Sequence, residues 1–415
     1  MKTSRRITKL RLAGILAVAA TAVLTTACGS TIPGSPAAGE IDIRIFDTGQ
    51  YPTEPLDAHD DTPVPGFYDY WKIAGMRLAN HVPHPYLIDP ALKLNSYGTS
   101  MSDTGLPDFM GKEAELTAIA KRNKMLFGFR TSASSVLYST PSYYEWPETK
   151  SAWGPSTSLA IAVSQYVDDA HAQKAADEFF RADRDRFKDN EEVELPKHSA
   201  ALSHWKPGGT ALRSFTARGS YVVSITVVMP TSDLNGLKGL AEKAFEKQLS
   251  MLDALPPITD EGMLELPWDP ERMLRRTLNP NQFHSPTVDE DYGVFEPDGF
   301  LHFTEDAGAT KTFLDRLGAD RVASSYGTLS FRVADPEAAQ RAVEEKVTAY
   351  PFSRVLDPPK DVPDTACVEV ADPGGSAEFM CIVAYDRYVG YVGSNQITDV
   401  HQRAAAQYAL FANSR

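Results

Sequence analysis

Asp168-Asp169-Ala170-His171-Ala172-Gln173-Lys174-Ala175-Ala176-Asp177-Glu178 returns 167 residues later as Asp335-Pro336-Glu337-Ala338-Ala339-Gln340-Arg341-Ala342-Val343-Glu344-Glu345. The same offset pairs Tyr221-Val222 with Tyr388-Val389, far downstream of the first match. Two separate anchor points sharing one spacing indicate a duplicated architecture.

Each copy reads in the same order. A strand, residues 159–166 or 328–333, is followed by an aspartate placed to cap a helix, Asp168 or Asp335, with Pro336 at the first helical position of the second copy. Apolar residues at 172, 175, 176 and 179, and at 339, 342, 343 and 347, bury one face of that helix. A β-rich strand comes next, residues 220–229 or 387–392. A second amphipathic helix then covers residues 237–252 or 399–411, with Gln248 and Gln407 at similar places and a loop about eight residues longer before the helix of the first copy. The expected fold is α+β, two related domains, each an antiparallel sheet backed by helices. The expected boundaries are 41–256 and 257–415, joined at Leu255-Pro256-Pro257-Ile258-Thr259-Asp260. Residues 68–82 and 112–124 read as helices of the first domain. Residues 141–155 read as a long loop.

The amino terminus fixes an expected compartment. Lys2, Arg5, Arg6, Lys9 and Arg11 stand without an acid ahead of thirteen uncharged residues, 12–24. This is the pattern of a secretory signal, too short to span a bilayer as a mature helix. Ser4-Arg5-Arg6-Ile7-Thr8-Lys9 looks like a twin-arginine export signal, with Thr8 in place of the usual aromatic, and the general export route is the alternative. Leu24-Thr25-Thr26-Ala27-Cys28-Gly29 resembles the bacterial lipobox, in which the cysteine thiol takes a diacylglyceryl group before cleavage. Thr25 departs from its aliphatic preference. Residues 1–27 then form the signal peptide, and residues 28–40 a lipidated tether rich in Gly, Ser, Pro and Ala with a reach of roughly 20 Å. Each buried lipid methylene contributes about 0.8 kcal/mol, so two or three acyl chains anchor stably. Ordinary cleavage with Cys28 as a bystander is the alternative.

Three cysteines occur in 415 residues, and lipid on Cys28 leaves Cys367 and Cys381. An even pair in an exported chain points to a disulfide. Asp372-Pro373-Gly374-Gly375 is a turn signal between two strand-like runs, 366–370 and 378–385, and each cysteine lies seven residues from Gly374. Closing so short a loop contributes on the order of 3 kcal/mol in the chain-entropy view. A redox or metal pair is the rival, without a neighbouring histidine or third cysteine in the sequence to favour it.

Net charge is −14, and loss of the five basic residues of the signal makes it −19. With no basic cluster, nucleic acid and anionic membrane surfaces are poor partners, so the membrane is met through lipid.

The opening Asp47-Thr48-Gly49-Gln50-Tyr51-Pro52-Thr53, the helix Gly75-Met76-Arg77-Leu78-Ala79 and the tail Gln402-Arg403-Ala404-Ala405-Ala406-Gln407-Tyr408-Ala409-Leu410 accompany the lipobox. With these motifs the chain resembles a group of uncharacterised envelope lipoproteins from actinobacteria with a mycolic-acid cell wall. The resemblance implies an extracytoplasmic, membrane-anchored location over nearly the whole mature chain. It implies no activity.

No catalytic set is assigned. Gly-x-Ser-x-Gly is absent, and zinc-protease, phosphate-cradling and dinucleotide-binding patterns are absent. Ser203-His204-Trp205-Lys206 fits Ser-x-x-Lys formally, in a turn-like stretch without companion motifs. His59, His81 and His84 could meet at a metal only if the fold converged them, and Pro83 disfavours helical pairing, so capping or loop roles are expected. Asp289-Glu290-Asp291-Tyr292-Gly293 echoes a calcium loop but lacks its third carboxylate, so a solvated acidic turn is expected. No cofactor or metal is assigned. Tyr143, Tyr144, Trp146 and Trp153 form a candidate binding loop for a sugar, lipid or protein, against the alternative that they cover the first sheet. The expectation is a non-enzymatic module that binds or scaffolds a cell-wall component or envelope protein. The alternatives are an envelope hydrolase acting on lipid or glycan with a dispersed site, and a sensor ectodomain partner.

Overall fold

Aspartate side chains start the helices that define the fold. In the computed structural model, which describes residues 41–55, 70–104, 113–137, 156–281, 292–371 and 377–414, Asp168 accepts from the His171 N–H and Asp335 from the Ala338 N–H. Each carboxylate satisfies a backbone donor that the first turn leaves open. The helices they begin are α3 (Asp169–Arg184) and α8 (Pro336–Glu344).

Among the described residues, fourteen strands form two seven-stranded sheets, antiparallel at each pairing. The first sheet holds β1 (Leu94–Met101), β2 (Met125–Ser134), β3 (Ser158–Tyr166), β4 (Glu191–Val193), β5 (Leu202–Trp205), β6 (Ala211–Arg218) and β7 (Tyr221–Val228), in the order β1-β2-β3-β7-β6-β5-β4. The second holds β8 (Tyr292–Phe295), β9 (Arg321–Ser325), β10 (Thr328–Arg332), β11 (Phe352–Leu356), β12 (Thr365–Val370), β13 (Phe379–Tyr385) and β14 (Tyr388–Ser394), in the order β8-β9-β10-β14-β13-β12-β11. Taken from the same side, the two orders are identical, so the duplication spans the whole sheet.

Backbone detail repeats as well. The β6–β7 hairpin turns at Gly219 (φ 54°) and the β13–β14 hairpin at Asp386 (φ 50°), again 167 residues apart. Helix α2 (Glu113–Arg122) is tied to α3 by Arg122 on Glu178 at 2.8 Å. Helix α7 (Ala307–Leu317) is tied to the end of α8 by Arg316 on Glu345 at 3.1 Å.

Two short helices, α5 (Asp260–Leu264) and α6 (Pro297–Phe300), precede and follow β8. Helix α4 (Leu234–Asp253) follows β7, and α9 (Ile397–Asn413) follows β14. Both bury a glutamine that bonds to a one-turn segment upstream. Gln248 donates to the His81 carbonyl, while Gln407 donates to the Arg276 carbonyl and accepts from the Leu278 N–H. A Cβ at Gly390 would sit 2.6 Å from Gln407, so this glycine lets α9 reach β14. The eight-residue difference before the second helix is not all loop. Residues 229–233 replace 395–396, β7 is one residue longer than β14, and Gln248 lies four positions deeper in its helix than Gln407. The expected first helix ends early. Helix α1 covers Tyr70–Leu78, and a tighter turn, Ala79–His81, follows ahead of Val82-Pro83, where proline excludes helix.

In the first sheet, Ala162, Tyr166, Phe215 and Val222 face α2 and α3, while Leu159, Ile161, Val163, Val223 and Ile225 face α1 and α4. Gly75 allows the α1 contact, since a Cβ there would lie 2.6 Å from the Gly128 carbonyl oxygen. In the second sheet, Val322, Phe331, Ile382, Val389 and Tyr391 face α7 and α8, and they join the same core as α1 and α4. Helix α9 packs against β13 and β14. Residues Ile45–Arg415 form one compact unit with a core continuous through both domains.

Candidate functional site

Register places the two cysteines directly opposite each other. Cys367 on β12 pairs with Cys381 on β13, the Cα atoms are 4.1 Å apart, and the disulfide is formed and wholly buried. The hairpin signal at 372–375 predicts this pairing, although residues 372–376 themselves lie outside those described. The absence of a histidine near the pair is corrected. Helix α9 returns over β13, so His401 brings a ring nitrogen within 4.8 Å of both sulfurs. Its Nε2 is buried, and among the described residues it has no hydrogen-bond partner. Twenty residues separate His401 from Cys381, so only the helix-on-sheet packing joins them.

The same helix receives the start of the folded chain. Tyr51 donates its hydroxyl to Asp399 at 2.6 Å, and Arg403 bonds the Tyr51 oxygen at 3.0 Å while lying over its ring. Gln402 donates to Asp47 at 3.0 Å, Asn413 donates to the Thr53 carbonyl, and Phe46 meets Tyr408 edge-on. Burial works to raise the Asp399 carboxyl, but hydrogen bonds from Ser394 and Tyr51 and the Arg403 charge outweigh it and hold it below its ordinary range. The opening and tail motifs that carry the family resemblance are therefore two halves of one contact.

Among the described residues, His81 and His84 do not converge on a metal site. His84 accepts the Tyr86 N–H, as a helix cap, and its Nε2 meets Ser96 Oγ at 3.0 Å. His81 is half-buried at the end of its turn, and His59 lies outside the described residues. Sequence reading missed His302, which comes from the second domain into the first. Its Nδ1 is 2.8 Å from Thr131 Oγ1, and its Nε2 is 3.1 and 3.0 Å from the carbonyls of Ala79 and Val82. Two carbonyl acceptors require a proton on Nε2, so Thr131 donates to Nδ1. Burial depresses the basicity of both rings, His302 to about 4.

Ser203 and His204 lie on β5 and not in a turn, which corrects the setting of the Ser-x-x-Lys string. The Ser203 hydroxyl is buried, whereas the Lys206 ammonium is exposed and 3.6 Å from Asp189. Cross-strand register puts His204 beside Arg213, and both reach the wholly buried Asp183 of α3, at 2.8 and 2.6 Å. This ion pair ties α3 to the sheet. The calcium-like string runs into β8, where Tyr292 is buried, and its acids 289–291 lie outside the described residues.

Two surfaces among the described residues could receive a partner. A groove of about 410 Å³ between α2 and α3 is lined by Glu115, Arg122, Glu178, Arg181 and Asp185, among others, with charges of both signs. Strand β11 is an edge with one paired side, and Tyr350, Phe352 and Val355 are 50%, 38% and 53% exposed beside it. Its counterpart β4 reads Glu191-Glu192-Val193. Cys28, Tyr143, Tyr144, Trp146 and Trp153 lie outside the described residues. Residues 143–153 fall among the 23 residues between β2 and β3, where the second copy has the two residues Tyr326-Gly327.

Two copies of one seven-stranded antiparallel sheet, fused about one core, define a duplicated α+β protein. The chain belongs to the family described as domain of unknown function DUF7373, whose N-terminal model matches residues 65–268 and whose C-terminal model matches residues 273–414. No curated protein and no solved structure matches the chain.

Proposed function

We propose that this is a lipid-anchored extracytoplasmic envelope protein that binds or scaffolds another envelope component without catalysing a reaction. The lipobox at Cys28 supports the anchor. The Cys367–Cys381 disulfide supports an oxidising compartment. The resemblance to actinobacterial envelope lipoproteins supports the same location. Because the chain enters its folded part along α9, the second domain is the one tethered most directly to the membrane.

The difference between the two sheet edges carries the binding reading. Glu191 and Glu192 guard β4, whereas β11 carries no acid and, among the described residues, has one unpaired side, with Phe352 and Val355 exposed around Arg354, whose charge is matched by Glu369 on β12. An exposed apolar edge is a template for strand addition, and charged side chains are the usual way to block it. Pro351 and Pro358-Pro359 bound the edge, so a partner strand of about five residues fits it. Tyr143, Tyr144, Trp146 and Trp153, in the stretch of sequence between β2 and β3, are a second candidate contact, since large flat side chains often meet a sugar, a lipid or another protein.

A photo-crosslinking residue placed at Ser353 in β11, or at Glu192 in β4, tests this in intact envelopes. A discrete adduct from position 353 and none from 192 is expected. Equal labelling from both positions, or none from either, contradicts the edge as the binding surface.

A further inference from the structure

We propose that Cys367, Cys381 and His401 form a site for a soft divalent metal ion of the zinc type, available when the disulfide is reduced. The three donor atoms already lie within 4.8 Å of one another. Zinc bonds to sulfur at about 2.3 Å and to imidazole at about 2.0 Å, so tetrahedral donors stand roughly 3.5–3.8 Å apart. With Cα atoms 4.1 Å apart, side-chain rotation carries the reduced sulfurs to that separation without moving either strand. The His401 Nε2 is buried, and among the described residues it has no hydrogen bond to surrender.

The donor set fits the ion. Two thiolates and an imidazole favour zinc over calcium or magnesium, and three protein ligands leave a fourth position for water or a ligand. The surroundings are apolar. Cys381 pairs with Val392 on its other side and Cys367 with Leu356, so the site is shielded from competing water.

The chemistry balances with a dithiol donor as reductant. Two electrons and two protons pass from the dithiol to the S–S bond, giving two protein thiols and an oxidised donor. The metal then displaces the two thiol protons. Disulfide and metal are mutually exclusive, so the bound ion protects the thiols from reoxidation.

The full chain carrying Cys28→Ser, reduced with a phosphine and held without oxygen, is titrated with Co²⁺ as probe. A thiolate-to-cobalt charge-transfer band saturating at one ion per chain is expected, displaced by Zn²⁺ and absent from the oxidised protein. His401→Ala weakens binding at least about tenfold. Cys367→Ser/Cys381→Ser abolishes the band. Near-UV circular dichroism of the reduced chain checks that the fold persists, and its loss overturns the proposal because the site depends on the β12–β13 register. The absence of a thiolate band, or equal affinity in His401→Ala, overturns it as well.

Discussion

Acidification from pH 7 to 4.5 weakens this protein through a ring that holds its two domains together. His302 is wholly buried, donates to two backbone carbonyls of the first domain and accepts from Thr131. Burial lowers its pKa from 6.5 to about 4, opposed only in part by the carbonyls of Val82 and Ala79. Below pH 6.5 the unfolded chain takes up a proton that the folded chain refuses. The stabilisation is therefore complete above pH 6.5 and is lost as pH falls toward 4. The full gap corresponds to about 3 kcal/mol, of which about 2 kcal/mol falls between pH 7 and 4.5. His84, also depressed by burial, adds to the loss in the same direction. Carboxylates such as Asp320 and Glu271, held low because arginine contacts outweigh burial, lose their contribution at lower pH, below their ordinary range. Urea unfolding at half-unit pH steps, with a constant slope against denaturant, measures the effect. His302→Gln starts less stable but declines less, by about 2 kcal/mol across the same interval. A wild-type midpoint that stays level from pH 7 to 4.5, or an equal decline in the variant, would refute the assignment.

Further outcomes are expected of other buried groups. Asp183→Ala strands Arg213 and His204 in the interior and costs about 3–5 kcal/mol by denaturant titration, while Asp253→Ala at the exposed Arg218 pair leaves the midpoint within error. Gln407→Met leaves the Leu278 N–H and the Arg276 carbonyl without their partner and costs about 3 kcal/mol, read as a lowered urea midpoint with an unchanged slope. Cys367→Ser/Cys381→Ser removes a cross-link spanning 14 residues and lowers stability by about 3 kcal/mol under oxidising conditions, with no difference from wild type once both are reduced.

Local chemistry made half of each domain legible. An aspartate before an amphipathic run marks a helix start wherever it occurs, which is why Asp168 and Asp335 placed α3 and α8. Equal spacing about Gly374 made the cysteine pairing readable because a hairpin converts sequence symmetry into contact. Strands β1, β2, β4, β5, β6, β8, β9 and β11 were not read. Segments such as Leu94-Asn95-Ser96-Tyr97-Gly98 and Arg321-Val322-Ala323-Ser324-Ser325 owe their strand conformation to neighbours and not to their own residues. Contacts made by packing alone left no trace in sequence. His401 reaches the disulfide because α9 folds back on β13, and His302 reaches Thr131 across the two domains. The buried hydrogen-bonded triad of Asp183, His204 and Arg213 joins a helix to two strands, and only its middle member lay in a string that drew attention.

Intact-mass and peptide mass spectrometry of the protein from its native membrane tests the central claim most directly. A chain beginning at Cys28 with a diacylglyceryl group on its thiol, and a disulfide-linked peptide pair containing Cys367 and Cys381, are expected. An unacylated amino terminus at another residue, or two free thiols at 367 and 381, would contradict it.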